Sequence, residues 1–302
     1  MQKKNLRFNY EIIYEDNQMS PKLTASSTQK LISMDNVHAL LSFWGIMGNV
    51  VASIADQKGV ISMTCTFGEN STKGKYNFNF NPTYKSQAEV LVSELKKRKI
   101  KTLAAFIDNS DMLHQYETIA DEINKNSDIK IVFFEKFNFG EKDYKMAIAK
   151  ANAKKPDMYL ISGYNPSVYL FLKQLKEITG RNDNVTSVDV FMEISPENIH
   201  IVDGLWYVDS MGNKAYQKML KDKTGLASEG CTGATVSNFE ILVDAFENAD
   251  IDAGDKIPNN DNISKYIWSA VQDKDTIPGK ATIINDGQIT VEPRIKVMNS
   301  KD

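Results

Sequence analysis

The sequence predicts an α/β protein in which parallel strands alternate with helices that cover both faces of the sheet. Two observations carry this prediction. Short apolar runs recur along the chain, and longer segments with apolar residues three and four positions apart lie between them. The length of 302 residues, with 42% hydrophobic residues, allows a sizeable core and indicates two compact units rather than one.

The strands and helices are predicted from these periodicities. The predicted strands are residues 10–14, 39–44, 60–64, 103–107, 129–134, 158–162 and 205–208. The predicted helices are residues 23–32, 49–57, 85–97, 112–123, 143–153, 167–178, 213–223, 236–249 and 264–271. Near the end, Asn285-Asp286-Gly287 lies between the apolar runs 281–284 and 289–297, which is typical of a hairpin.

The charge pattern does not indicate a nucleic-acid partner. With 36 basic and 39 acidic side chains the formal net charge is -3. The dense basic cluster Lys96–Lys99 closes a predicted helix, where cations suit the helix dipole, so we interpret it as a solvated helix end and expect no nucleic-acid partner. No apolar run approaches the roughly 18 residues of a membrane span, and no secretory signal is visible at the start.

The sequence contains few residues and motifs that are typical of metal sites or catalytic sites. Cys65 and Cys231 have no second cysteine or closely spaced histidine nearby, so no metal site is expected, and a disulfide between them stays open. Cys65 is also a candidate nucleophile, although no activating side chain adjoins it and a structural role is favoured. Because phosphate-binding, dinucleotide, nucleophile-elbow and zinc-protease motifs are all absent from the sequence, we predict no cofactor and no enzymatic activity.

Several predicted strands end in small or polar residues just before a helix, as in residues 43–49 and 162–167. Ligands of open α/β sheets bind beyond such carboxyl ends, and the free N–H groups that open the next helix suit an anion. Good turn sequences have the same composition, so this pattern alone does not distinguish a binding site from a turn.

Longer segments carry a family resemblance. Residues 14–22, YEDNQMSPK, followed by a helix, resemble a segment of the type I periplasmic binding proteins, in particular the branched-chain (leucine/isoleucine/valine) substrate-binding proteins of ABC transporters. Residues 140–144, GEKDY, open a helix that leads to Lys155-Pro156-Asp157 and a strand ending in Gly163-Tyr164, in the order seen in that family. Further matching segments are residues 59–61, 76–80, 203–205 and 279–297, so the resemblance covers nearly the whole chain.

The resemblance implies two doubly wound parallel-sheet lobes joined by three crossing segments, with the ligand in the cleft between them. The lobes expected from the family pattern are residues 1–81 with 210–285, and residues 82–209 with 286–302. The sequence starts at what resembles the second strand of the family, so the first strand and helix are expected to be missing.

The function implied by the resemblance is that of an extracytoplasmic solute-binding protein. It would bind an amino acid or a similar small molecule by lobe closure and pass it to the permease subunits of an ABC importer. Two alternatives stay open: a ligand-sensing domain of the same fold, and a cytoplasmic α/β enzyme that uses Cys65 as nucleophile.

The resemblance also places candidate ligand-binding residues. In the first lobe these are Trp44, Gly45 and Ile46, in a loop whose backbone N–H groups would hold a ligand carboxylate, and Thr66, Phe67 and Gly68 in a second loop. In the second lobe, Tyr164 matches a cleft tyrosine, while Met112 lies at another tyrosine position of the family, beside Asp111. Asp189, or Glu193 as the alternative, is the candidate for holding the ligand ammonium. Trp44 and Met112 would favour an apolar or aromatic ligand portion.

Overall fold

The computed structural model describes residues 5–66, 69–110, 112–210, 212–225 and 230–299. The chain divides into two compact units, each built from more than one segment. The first unit is Met1–Asn81 with Cys231–Val291, and the second is Pro82–Gly230 with Glu292–Asp302.

Strands and helices alternate along most of the described chain. The strands are β1 Ala39–Phe43, β2 Ile61–Cys65, β3 Asn77–Phe80, β4 Thr102–Asp108, β5 Lys130–Phe137, β6 Met158–Ser162, β7 Val185–Thr186, β8 Trp206–Asp209, β9 Lys274–Asp275, β10 Lys280–Ile284, β11 Gln288–Val291 and β12 Arg294–Val297. The α-helices are α1 Pro21–Ser33, α2 Gly45–Lys58, α3 Tyr84–Lys97, α4 Met112–Asn126, α5 Lys145–Asn152, α6 Ser167–Thr179, α7 Lys214–Thr224, α8 Gly230–Asn248 and α9 Asn260–Ala270. Short 3₁₀ helices occupy Glu69–Thr72, Val190–Glu193, Pro196–Ile201 and Asn285–Gly287.

The first unit is built on a sheet with the strand order β1-β2-β3-β11-β10-β9 among its described residues. Strands β1, β2, β3 and β11 run parallel, whereas β10 is antiparallel to both of its neighbours. Every residue of β2 and β3 is buried, as expected for central parallel strands covered on both faces.

The second unit is built on the parallel sheet β5-β4-β6-β7, with β8 and β12 as a separate antiparallel pair. The two faces of β4 enter different cores. Phe106 packs against Phe171 of α6 on one face, with ring centroids 4.7 Å apart. Leu103 and Ile107 belong to the other core, together with Leu91 of α3. Helices therefore cover both faces, and the predicted doubly wound architecture is confirmed for this unit.

Polar side chains set the beginnings of several helices. Thr83 accepts a hydrogen bond from the N–H of Ser86 at 3.1 Å and so caps α3. Asn259 accepts one from the N–H of Asn262 at 2.9 Å and caps α9. Such caps satisfy N–H groups that have no partner inside the helix, which fixes where each helix begins.

The unit boundaries differ from the predicted lobes in two places. Strand β11, predicted in the second lobe, pairs with β3 and β10 in the first unit because the hairpin keeps both of its strands in one sheet. Residues 210–230, predicted in the first lobe, group with the second unit. The N–H of Ser210 donates to Asp189 at 2.7 Å and that of Gly212 to Asp209 at 3.0 Å, which attaches this segment to the second unit.

Two predicted strands are wrong in detail. Residues 10–14 form no strand and are held by side-chain contacts instead, including a 2.7 Å hydrogen bond from the Tyr10 hydroxyl to Glu247 of α8. The run 289–297 is interrupted between β11 and β12, which pair in different units. Pro293 lies in this interruption, and a proline has no N–H to donate to a ladder.

A pH-dependent contact lies where β4 begins. The Asp157 carboxylate accepts hydrogen bonds from the N–H groups of Lys101 and Thr102 at 2.8 and 2.9 Å. These bonds, the one from Lys101 above all, outweigh desolvation and hold the pKa of Asp157 below its usual value.

We expect Asp157→Asn to lower the free energy of unfolding by about 1 kcal/mol at neutral pH, because a charge-assisted acceptor is weakened. A group with a depressed folded-state pKa stabilises the fold above its unfolded pKa, near 4, and this contribution is lost as the pH falls through the folded pKa. The difference between wild type and variant in urea unfolding should therefore shrink below about pH 4. Asp128→Asn, a change at a neighbouring exposed aspartate, is the control; an equal effect of both substitutions would contradict the prediction.

Candidate functional site

At the carboxyl edge of the first unit, the chain turns from β1 into α2. Trp44 is half-buried with φ 75°, and its N–H donates to the carbonyl of Cys65 at 2.9 Å. Gly45 and Ile46 follow in the first turn of α2, where backbone N–H groups lack partners within the helix. The side chain of Ile46 is outside the described atoms. The turn thus presents helix N–H groups of the kind that bind anions.

Thr66 fastens this turn to the neighbouring strands. Its buried hydroxyl donates to the carbonyl of Gly45 at 2.6 Å, and its N–H donates to Oδ1 of Asn79 at 2.9 Å. The side-chain amides of Asn79 and Asn81 donate in return to the Thr66 carbonyl at 2.9 and 3.2 Å. Because its hydroxyl donates a hydrogen bond to the Gly45 carbonyl, Thr66 supports the α2 turn in this structure. Phe67 and Gly68 lie outside the described residues.

A disulfide lies at the same carboxyl edge of the first unit. Cys65, the last residue of β2, is bonded to Cys231 in the first turn of α8, with Cα atoms 5.9 Å apart. Asn238 of α8 adds a hydrogen bond to the Thr64 carbonyl at 3.0 Å. The sequence left this pairing open, and the bond shows that Cys65 carries no thiol here. The hypothesis of a Cys65 nucleophile is therefore wrong for this form of the protein.

At the carboxyl edge of the second unit, Asp108 ends β4 and Tyr164 follows β6. Tyr164 is half-buried, with its ring 6.1 Å from that of Phe139 in an edge-to-face arrangement. Gly163 between β6 and Tyr164 has no room for a side chain, since a Cβ there would lie 2.9 Å from the Phe137 ring. Met112, predicted to line a pocket, is only 8% exposed and packs in the core. Asp111 lies outside the described residues.

Asp189 follows β7, beside Tyr164 in the strand order of this sheet. Its carboxylate accepts hydrogen bonds from the side-chain amide of Gln87 at 2.8 Å and from the N–H of Ser210 at 2.7 Å. The backbone of Asp189 has φ 61°, an unfavourable region for most side chains that aspartate tolerates better. The carboxylate is thus held in one orientation by two other segments of the same unit. Glu193 lies in a 3₁₀ helix, and its side chain is not described.

Buried glutamines extend this network, and sequence reasoning missed them. The amide of Gln115 donates to Oε1 of Gln87 at 2.9 Å, and the Ser162 hydroxyl donates to Oε1 of Gln115 at 3.1 Å. Gln87 and Gln115 occupy the apolar faces of α3 and α4, four residues before Leu91 and Ile119. A glutamine on an otherwise apolar stripe is the signal that would have indicated a buried polar network.

A second carboxylate lies near Asp189. Asp209, at the end of β8, is fully buried and pairs with Lys296 at 2.7 Å and Arg294 at 3.1 Å. Burial, followed by the negative charges of Asp209 and Asp189, raises the pKa of Tyr207. Lys296 and Arg294 neutralise Asp209, so this carboxylate adds no net negative charge beside Asp189.

Two other features are absent from the described residues. No group of three His, Cys, Asp or Glu side chains is arranged there to hold a metal ion. Within the same ranges, none of the helices combines the length and the apolar character needed to cross a bilayer.

Comparisons with known proteins place this geometry in context. A family model described as periplasmic binding protein matches residues 7–293. A search of curated proteins finds no match.

Solved structures share the fold at low sequence identity. The leucine-binding protein of Thermotoga maritima is 19% identical, with 95% of this chain and 84% of that chain covered and a TM-score of 0.77. The branched-chain amino-acid transporter substrate-binding protein of Streptococcus pneumoniae, in complex with isoleucine, is 18% identical, with 97% and 85% covered and a TM-score of 0.78. An ABC transporter substrate-binding protein of Desulfitobacterium hafniense, in complex with Leu, is 13% identical, with 96% and 86% covered and a TM-score of 0.76.

Proposed function

Because this chain belongs to the periplasmic binding protein family, we propose that it captures an amino acid outside the cytoplasm and delivers it to an ABC permease without catalysing a reaction. Several proteins of the same fold are described as branched-chain amino-acid transporter proteins, one of them in complex with isoleucine, and a further ABC transporter substrate-binding protein is in complex with Leu. A disulfide between Cys65 and Cys231 accords with an oxidising, extracytoplasmic compartment.

The observation that carries the proposal is the orientation of Asp189. Hydrogen bonds from Gln87 and Ser210 hold the carboxylate in one orientation, and a carboxylate is a charge-assisted acceptor for an ammonium group. We propose that Asp189 binds the α-ammonium of the ligand and that Tyr164, on the adjacent strand, contacts its apolar part.

The first unit has a separate feature that suits an anion. The opening turn of α2 presents backbone N–H groups, and the hydrogen bond from Thr66 to the Gly45 carbonyl supports their position. A helix N-terminus stabilises a carboxylate through these N–H groups and the helix dipole. The turn at Trp44, Gly45 and Ile46 therefore remains our candidate for binding a carboxylate group.

A thermal-shift screen against amino acids, small amides and aromatic acids tests the function, since a ligand that binds only the folded state raises the melting temperature. We expect leucine or isoleucine to raise it. Calorimetry should then show that Asp189→Asn weakens amino-acid binding by roughly 10- to 100-fold, because a charge-assisted contact is lost. Asp183→Asn, at an exposed aspartate of the same unit, should leave the affinity unchanged.

A ligand lacking the ammonium group separates binding from a structural effect. Asp189→Asn should leave the affinity for 4-methylpentanoate, the des-amino analogue of leucine, much closer to that of the wild type. Equal weakening of both ligands would mean that Asp189 only supports the fold. A wild-type protein that melts cooperatively but responds to no compound in the screen would refute the proposed function.

A further inference from the structure

Positive charge is concentrated in three connections of the second unit, here called loops although they include the last residues of α3 and α4 and the first residue of β5. Residues 96–101, 125–130 and 154–157, here called the basic edge, read KKRKIK, KNSDIK and KKPD. They hold nine basic side chains and two acidic ones, although the whole chain has a formal net charge of -3. The rest of the molecule is therefore strongly acidic, and the basic edge is a local exception that net charge does not explain.

The parallel sheet brings these loops together. Each loop immediately precedes a strand, β4, β5 or β6, and these strands are neighbours in the order β5-β4-β6. Thr102 lies opposite Lys130 in the register, and the N–H of Lys130 donates to the carbonyl of Lys101 at 2.8 Å. The N–H of Lys101 donates to Asp157 in the third loop, also at 2.8 Å. The basic edge is thus one continuous surface at the amino ends of the strands.

A cavity of about 550 Å³ opens between the first two loops, and Lys96, Lys99, Lys101 and Lys125 line it. All four lysines are exposed. Lys96 donates to the carbonyl of Asn126 at 3.0 Å, and Lys125 lies 3.6 Å from Asp121, a loose exposed pair. Among the described residues, Lys99 and Lys101 make no side-chain ion pair. Like charges gathered in this way repel one another and attract a multivalent anion.

We propose that the basic edge docks on the surface of an anionic phospholipid bilayer. Lysines are mobile point charges suited to many headgroups at once, whereas specific phosphate recognition usually employs the fork of arginine. Arg98, the one arginine of these loops, is engaged with Glu94 at 2.8 Å and lies 4.7 Å from the ring of Trp206. None of the three loops contains an aromatic residue on which a nucleic-acid base would stack, which argues against single-stranded nucleic acid.

The location of the basic edge makes docking compatible with ligand binding by the same unit. Parallel strands all point the same way, so the basic edge and the carboxyl edge that carries Tyr164 and Asp189 lie at opposite ends of the sheet. Strand β4 has 7 residues, which separates the two edges by roughly 20 Å. This inference goes beyond the proposed function and stands without it, because it uses none of the ligand-binding residues.

Co-sedimentation of the full chain with vesicles tests the proposal. Vesicles of phosphatidylglycerol mixed with phosphatidylcholine should bind the wild type at about 0.01 M ionic strength and much more weakly at about 0.15 M, as the Debye length shortens from about 30 to about 8 Å. The quadruple variant Lys96→Gln, Lys99→Gln, Lys101→Gln, Lys125→Gln should bind at least about 100-fold more weakly. A matched variant with Lys22, Lys58, Lys256 and Lys265 changed to glutamine should bind nearly as well as the wild type.

Four results would overturn the proposal. Absence of binding to anionic vesicles at low ionic strength is one, and equal binding to pure phosphatidylcholine is another. Equal losses of vesicle binding in the two quadruple variants would show that the net charge of the protein, and not the basic edge, determines binding. Binding of a single-stranded oligonucleotide or of free pyrophosphate as tightly as the vesicles, lost in the first variant alone, would reassign the basic edge to a soluble polyanion. Circular dichroism of both variants verifies that they are folded.

Discussion

Removal of the Cys65–Cys231 disulfide is expected to lower the free energy of unfolding of the first unit by about 2–5 kcal/mol. The bond joins residues 166 positions apart, so the unfolded chain without it gains the conformational freedom of a very long loop. The measurement is urea unfolding of the wild type with and without reductant, and of the variant Cys65→Ser, Cys231→Ser. Tryptophan fluorescence in a Trp206→Phe background reports on this unit, because Trp44 and Trp268 both belong to it.

The double serine variant is also the control for the reductant. Reductant should shift the unfolding midpoint of the wild type towards that of the variant and leave the variant unchanged. Thiol titration of the unreduced, denatured wild type should find no free cysteine. Two titratable thiols, or a midpoint unaffected by both treatments, would contradict the prediction.

Substitution of Asp209 is expected to destabilise the second unit by about 3–5 kcal/mol. Its fully buried carboxylate pairs with Lys296 and Arg294 and accepts the N–H of Gly212, so Asp209→Ala leaves these groups without their acceptor. Asp209→Asn keeps an acceptor for the Gly212 N–H and should cost less. Fluorescence of Trp206, three residues before Asp209 on β8, reports the loss when Trp44 and Trp268 are replaced by phenylalanine.

An exposed ion pair of the same unit provides the comparison. Asp121 lies 3.6 Å from Lys125, with both side chains 71% exposed, and exposed pairs contribute roughly 0–1 kcal/mol. Asp121→Ala should therefore change the unfolding midpoint little. If Asp209→Ala were as mild as Asp121→Ala, the buried ion pairs of Asp209 would not stabilise the unit.

Much of the fold could be predicted from the sequence because local periodicity reflects local burial. The central strands β2, β4 and β6 and the helices between them lie close to their predicted ranges, and the family match confirms the predicted family. Residues 10–14 form no strand although their apolar alternation favours one, because a strand also requires a neighbour to pair with. Pairing partners depend on the whole fold and leave no local signal.

The candidate site was predictable only in part for the same reason. Tyr164 and Asp189 follow strands, and their place at the carboxyl edge could be inferred from the order of elements. The supports of the site, such as Gln87, Gln115 and Asn79, could not, because each is defined by a partner far along the chain. The cluster Lys96–Lys99 was interpreted as a solvated helix end, since the sequence does not show the two other loops that the sheet brings beside it.

The discontinuous make-up of the first unit determines when it can be completed. Strand β3 pairs with β11, and Asn79 faces Gln288 in that register, so the ribosome must add more than 200 residues after β3 before this part of the sheet can form. The four strands β4 to β7 of the second unit lie in one stretch of chain and can pair much earlier. Contacts between distant residues slow folding. During synthesis, one edge of β3 therefore stays without its partner strand, and open to pairing with other chains, until the hairpin of β10 and β11 arrives.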